Sequence, residues 1–157
     1  MKKKYFILLS LLLIFIIIVL IILIINKKNR NLIILEETDY KTGELITLNE
    51  DTLKEKENNK DNFIVYIHVP GLCTSEIPFD PLVNKFIEKN GITIYSLPYS
   101  ILKNTNLSKH IKYSPSLAII KKGELIDFLD ANSDDDYKYY SSEEGLTNWI
   151  KSYVKIK

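Results

Sequence analysis

Hydrophobic and polar positions follow two regimes along this chain. From Tyr5 to Ile25, 21 residues run with only Ser10 and the Tyr5 hydroxyl interrupting the hydrocarbon. As a helix rising ~1.5 Å per residue, this run is about 31 Å long. That matches the ~30 Å hydrocarbon thickness of a bilayer. It has no polar face to meet water, which argues against a helix on the surface of a globular core. Its apolar core is longer than that of a secretory signal peptide, and no A-x-A-like cleavage site follows it. The run predicts an uncleaved signal anchor over residues 5–25.

Beyond it the pattern breaks into short elements. Leu45–Leu48 predicts a strand, and Asn49 or Asp51 can cap a polar helix to about Glu57. Phe63–Val69 (FIVYIHV) is almost continuously apolar and rich in β-branched and aromatic residues, as in a strand buried on both faces. Pro70-Gly71 ends it. Pro78 and Pro81 interrupt the start of a helix that puts Leu82, Val83, Phe86 and Ile87 on one face and closes at Asn90-Gly91. Ile92–Leu97 is a second buried strand. A short helix around Leu107–Lys112 follows and ends at Ser114-Pro115. Ser116–Ile120 and Glu124–Leu129 form a hairpin over Lys121-Lys122-Gly123. Asp130–Ser142 is an acidic loop. Glu143–Lys155 forms the last helix, capped by Ser142, with Leu146, Trp149, Ile150 and Tyr153 at helical spacing.

The order β-α-β-α-β-α-β-β-α predicts an α/β domain: a mixed central sheet flanked by helices, with parallel crossovers and a final antiparallel hairpin. The expected organisation is a cytoplasmic tail over 1–4, the anchor over 5–25, a juxtamembrane connector over 26–43 and the domain over 44–157.

Charge sharpens the division. Six of the 21 Lys and Arg lie in residues 1–30 and no acid does, which leaves 15 bases against 20 acids in the remainder. An acidic domain of that kind argues against a nucleic-acid partner. The basic clusters suit lipid headgroups on either side of the anchor. Three basic side chains flank each end, so the positive-inside rule yields no majority. The short tail translocates less readily than a domain emerging behind a signal anchor, so the domain is expected outside the cell membrane. The membrane contact is lipid, through residues 5–25. Cys73 is the only cysteine. It excludes an intrachain disulfide and the framework of a small disulfide scaffold.

The landmarks resemble the thioredoxin superfamily over about Leu45–Val154. A buried strand, Ile64–Val69, leads to a cysteine as in the W-C-G-P-C motif. Pro81 stands eight residues after Cys73, where thioredoxins kink the following helix. Ser114-Pro115-Ser116-Leu117 is similar to the segment whose proline is cis and faces the cysteine. Ile119 to Leu125 is similar to the strand-turn-strand "F-K-N-G-E". The resemblance implies a thioredoxin-like fold, Cys73 at a helix start near the surface, and a cis-Pro115 that holds an extended protein client. Ser114, Pro115, Leu72 and Thr74 are then the client-binding positions. Composition rich in Ile, Leu, Lys, Asn and Tyr fits an AT-rich genome. Small membrane-anchored relatives of this shape include the bacteriocin transport accessory group of Gram-positive bacteria.

The motif departs from the family where chemistry is concerned. It reads Leu72-Cys73-Thr74-Ser75-Glu76, with Glu76 at the place of the resolving cysteine and Leu72 at that of the tryptophan. Ile67 takes the place of the buried acid of the proton relay. A lone cysteine at a helix start has its thiol pKa lowered from ~8.5. It can attack a disulfide, but completing the exchange needs a second thiol from the client or from a small molecule. Glu76 would raise the thiol pKa by like-charge repulsion, or serve as a first-turn helix residue. The plain alternative for Cys73 is a small, half-buried hydrophobe without redox use.

Two functions therefore stand: an extracytoplasmic monothiol accessory protein acting through Cys73, and a redox-inactive adaptor of the same fold in a membrane-associated export or envelope assembly. Neither calls for a cofactor. His68 is either a modulator near Cys73 or a strand residue with a satisfied ring. His110 reads as solvated. One cysteine and two scattered histidines offer no structural zinc site. Asp130-Ala131-Asn132-Ser133-Asp134 starts like a calcium loop, but Asp135 and Ser141 occupy the positions that need Gly and Glu. No metal is expected. Tyr137, Tyr139 and Tyr140 either pack under the loop or form an aromatic contact patch.

Overall fold

The computed structural model describes residues 13–19, 32–41, 43–71 and 78–156. Residues 13–19 are helical (α1) and their apolar side chains are exposed. Among the described residues no helix is long and apolar enough to cross a membrane. Most of the expected 5–25 anchor lies outside the described residues.

The folded unit is built on a five-stranded sheet: β1 (Leu45–Thr47), β2 (Phe63–His68), β3 (Ile94–Pro98), β4 (Ser116–Lys121) and β5 (Glu124–Phe128). The spatial order is β1-β3-β2-β4-β5. β1 and β2 run parallel to β3; β4 runs antiparallel to both β2 and β5. The antiparallel turn thus begins one strand earlier than a hairpin alone requires. The link from β3 to β4 is only the short helix α4 (Tyr99–Leu102) and a 3-10 turn (Asn106–Lys109), not the helix expected over Leu107–Lys112.

Side chains alternate across the sheet as pleating demands. Ile64 and Tyr66 face a core shared with α3 (Phe79–Asn90) and α6 (Glu143–Tyr153), through Val83, Phe86, Leu146 and Ile150. Phe63, Val65 and Ile67 face the other core, with Leu53 of α2 (Glu50–Asn58), Leu102, Leu107 and Ile111. β2 is buried on both faces, which is why its sequence shows no polar alternation.

Local signals end the elements where the sequence places them. Asn49 caps α2 by accepting from Thr52 N at 2.8 Å, and Thr52 Oγ1 accepts from Asn49 N at 2.9 Å. Gly91 closes α3 in the left-handed region, donating its N–H to Ile87 O at 2.9 Å. Ser142 Oγ accepts from Gly145 N at 3.0 Å at the head of α6.

The connector expected over 26–43 is corrected by the packing. The compact unit starts at Ile33, not at residue 44. Ile33 and Leu35 are 3% and 4% exposed and join the α3/α6 core. Ile33 N donates to Tyr153 O at 2.7 Å and Lys155 N donates to Ile33 O at 2.8 Å, a single parallel bridge to Val154. The acidic loop is corrected too: it contains α5 (Tyr137–Tyr140), whose Tyr140 is buried while Tyr137 is exposed.

Candidate functional site

The described residues form a frame at the end of the sheet where β2 and β3 finish. Residues 72–77, with Leu72, Cys73, Thr74 and Glu76, lie outside the described residues. Their flanks do not.

On one side, β2 delivers His68, Val69, Pro70 and Gly71. Pairing of β2 with β4 runs to Ile67 opposite Ser116. Beyond that last pair the two strands continue into His68 and Pro115. The Ser114–Pro115 peptide is cis, as the resemblance implied. Ser114 and Pro115 are half-buried, and Ser116 Oγ donates to Tyr113 O at 2.9 Å, pinning the loop that carries them.

On the other side, α3 starts at Phe79 after an extended Pro78. Its first turn is Phe79, Asp80 and Pro81, so Pro81 stands at the helix start and not at a mid-helix kink. A proline is tolerated there because first-turn N–H groups have no intrahelical acceptor. Tyr66 on β2 donates its hydroxyl to Asp80 Oδ1 and fixes this start to the sheet. Burial, and then the Asp80 carboxylate, push the Tyr66 phenol well above its ordinary pKa, so it remains a donor. Phe79 packs edge-on to Tyr66 at 5.8 Å and against Tyr140 at 4.5 Å between ring centroids. The Tyr140 hydroxyl in turn lies 2.8 Å from Pro115 O and 2.9 Å from Leu129 O and shares its one proton between them. Burial raises its pKa as well.

His68 is accounted for by its neighbours. Its ring stacks on Tyr66 at 4.9 Å and 9°, and its Nε2 is hydrogen-bonded to Ser96 Oγ at 2.7 Å. Of the two readings, the satisfied strand histidine is the one the geometry matches. Ile67 is fully buried among apolar side chains. His110 is exposed. Among the described residues, no three or more His, Cys, Asp or Glu are placed to hold a metal ion. In the acidic loop, Asp136 Oδ2 accepts from Asp130 N and Asp130 Oδ1 accepts from Asn132 N, both at 2.9 Å. These carboxylates shape the loop's own turns.

Sequence reasoning singled out Pro115 and His68, which adjoin the paired ends of β4 and β2. It missed Tyr66, Asp80 and Tyr140 as frame residues. The signal for Tyr66 was available: a tyrosine inside an otherwise apolar two-sided strand needs a partner for its hydroxyl. Nothing in the sequence paired Tyr140 with Pro115.

The chain has a thioredoxin-like fold. It superposes on a thioredoxin variant from Halobacterium salinarum with a TM-score of 0.53 at 13% identity, over 74% of this chain and 96% of that one. For Malassezia sympodialis thioredoxin the TM-score is 0.51 at 12% identity, over 72% and 93%. For the Schistosoma mansoni thioredoxin pre-protein it is 0.50 at 21% identity, over 71% and 99%. No protein-family model and no curated protein sequence matches the chain.

Proposed function

We propose that this chain is a membrane-tethered monothiol protein that works on client disulfides through Cys73 beside cis-Pro115, on the outer side of the membrane. One observation carries the reading: both flanks of residues 72–77 are tied to the loop of Pro115. The β2–β4 ladder does so on one side, and the Phe79–Tyr140–Pro115 contacts do so on the other. Cys73 is two residues from Gly71, a reach of at most about 7 Å.

In this reading the Cys73 thiolate attacks one sulfur of a client disulfide. A Cys73–client bond forms as the client bond breaks, and the second client sulfur leaves as a thiolate. Another client thiolate, or a small-molecule thiol, then attacks the client sulfur of the adduct and releases Cys73 as a thiolate. With a client thiol as resolver, disulfides are rearranged without net oxidation. Leu72, Thr74, Ser114 and Pro115 contact the client, and Glu76 restrains the thiol by raising its pKa. Residues 5–25 hold the domain at the membrane, near clients leaving the cell, as in the bacteriocin transport accessory group.

The adaptor reading is favoured by Ile67, which is fully buried and apolar where thioredoxins carry the relay acid. Trapping separates the two. Membranes are alkylated, solubilised without reductant and searched for mixed disulfides that vanish on Cys73→Ala. Such adducts support the monothiol. Unchanged non-covalent partners without adducts support the adaptor. Retention of the chain in membranes after alkaline carbonate washing tests the anchor.

A further inference from the structure

Just before the Pro115 loop in sequence, the chain lines a concavity of about 500 Å³. That is within the range of sites that take a side chain or a small ligand. Its wall begins at Tyr99, the residue after β3, and reaches Lys112, three residues before Pro115. Tyr99 donates its hydroxyl to Lys112 O at 2.5 Å, closing the wall. Leu102 and Ile111 form the floor and are 2% and 1% exposed. Lys103 and Lys112 stand on the rim, with Ser100 and Ser108 between them. Lys112 Nζ donates to Ser108 O, another residue of the lining. Among the described residues, no carboxylate lines the cleft. This is a basic pocket on a domain whose bases are outnumbered by acids.

We infer that this cleft selects clients: it takes an acidic segment of the polypeptide whose cysteine is presented to Cys73. This rests on the monothiol reading above. The occupant is an acidic peptide because the rim offers two ammonium groups and the Ser100 hydroxyl to carboxylates and opposes them with no acid; the Ser108 hydroxyl is spent on Thr105 O. It is a client segment because the wall runs directly into Tyr113, Ser114 and Pro115. A chain lying along that loop extends into the cleft. Half-exposed Tyr113 is an apolar step between the two sites. Rim charges of this sort act chiefly on encounter rate and partner choice.

The test uses the full chain in neutral detergent. The probes are short peptides with one cysteine held as a mixed disulfide with a coloured aryl thiol, flanked by aspartates, lysines or serines. Attack by Cys73 forms the protein–peptide disulfide and releases the aryl thiolate, whose absorbance gives the rate. The acidic peptide is expected to react on the order of tenfold faster than the basic one at low salt. Salt should erase the difference. The double variant Lys103→Glu with Lys112→Glu, both exposed, should reverse the order of the acidic and basic peptides.

A second measurement is independent of the thiol: anisotropy of a labelled acidic peptide with serine in place of cysteine. Binding lost in the double variant supports the cleft even where no peptide forms an adduct, and in that case Cys73 reactivity fails alone. Equal rates for acidic and basic peptides, with no anisotropy change, overturn the proposal. So does a double variant that loses binding only to anionic lipid vesicles.

Discussion

The hydroxyl of Tyr140 donates to the carbonyl oxygen of Pro115 at 2.8 Å, across 25 residues of sequence. The same hydroxyl reaches Leu129 O at 2.9 Å, so one buried tyrosine ties the end of β5 and the proline loop to α5. Its ring supports Phe79, the first residue of α3. The acidic segment that reads as a solvated loop thus carries a brace for the candidate site.

Tyr140→Phe keeps the ring and removes the one proton that the Pro115 and Leu129 carbonyls share. The expected loss is about 1–3 kcal/mol. The denaturant midpoint of the full chain in detergent measures it, with an unchanged slope. An unchanged midpoint would show that the brace contributes nothing.

Asp39 supplies a pH dependence. It is 2% exposed, and its Oδ1 accepts from the Tyr95 hydroxyl at 2.7 Å. Among the described residues, its Oδ2 has no hydrogen-bond partner. Burial raises its pKa above the ordinary 3.8, against the lowering effects of the Tyr95 bond and of Lys56; Glu36 and Asp61 add to the rise. Between 3.8 and the raised value, the folded chain holds a proton that the unfolded chain lacks. Stability from this group therefore increases as pH falls through the folded value and is reduced at neutral pH. Wild type should gain stability on Asp39→Asn as pH is lowered from about 7 to about 4. Parallel unfolding curves for the two proteins over that range would contradict the assignment.

Gly123 marks how far the hairpin was legible. Lys121-Lys122-Gly123 reads as a turn, and the structure places Lys122 and Gly123 there with φ of 53° and 76°. The sequence does not reveal that α2 packs on this turn: a Cβ on Gly123 would sit 2.2 Å from Glu57 O. Gly123→Ala meets both an unfavourable φ and a backbone clash, so a loss above about 1 kcal/mol is expected. Thermal unfolding checks it. A stability equal to wild type would mean that α2 shifts freely.

Strand identities and helix caps were readable because each depends on local residue choice: the two-sided apolar run of β2, Asn49 and Ser142. The cis state of Pro115 came only through the resemblance carried by Ser114-Pro115-Ser116-Leu117. Long-range pairings were not. Ile33 looks like connector because its partner, Val154, lies at the other end of the chain. The direction of β4 was hidden because α4 and a 3-10 turn are too short to announce a crossover or its absence. At the site, Cys73 and Pro115 stood out by residue type, whereas Tyr66–Asp80 and Tyr140–Pro115 exist only through tertiary contact.

Everything proposed for the thiol requires Cys73 to face the proline loop, and a designed disulfide tests this directly. In the full chain, Ser114→Cys adds a second thiol beside Pro115, and Glu124→Cys adds one at the exposed start of β5 as a control. A disulfide forms readily only where the two Cα atoms come within about 7 Å. Under mild oxidation of the Ser114→Cys chain, Cys73 and the introduced thiol should close a bridge within one chain, seen as loss of both free thiols at monomer mass, while the control stays open. Retention of both thiols in the Ser114→Cys chain, or bridges only between chains, would contradict the placement of Cys73.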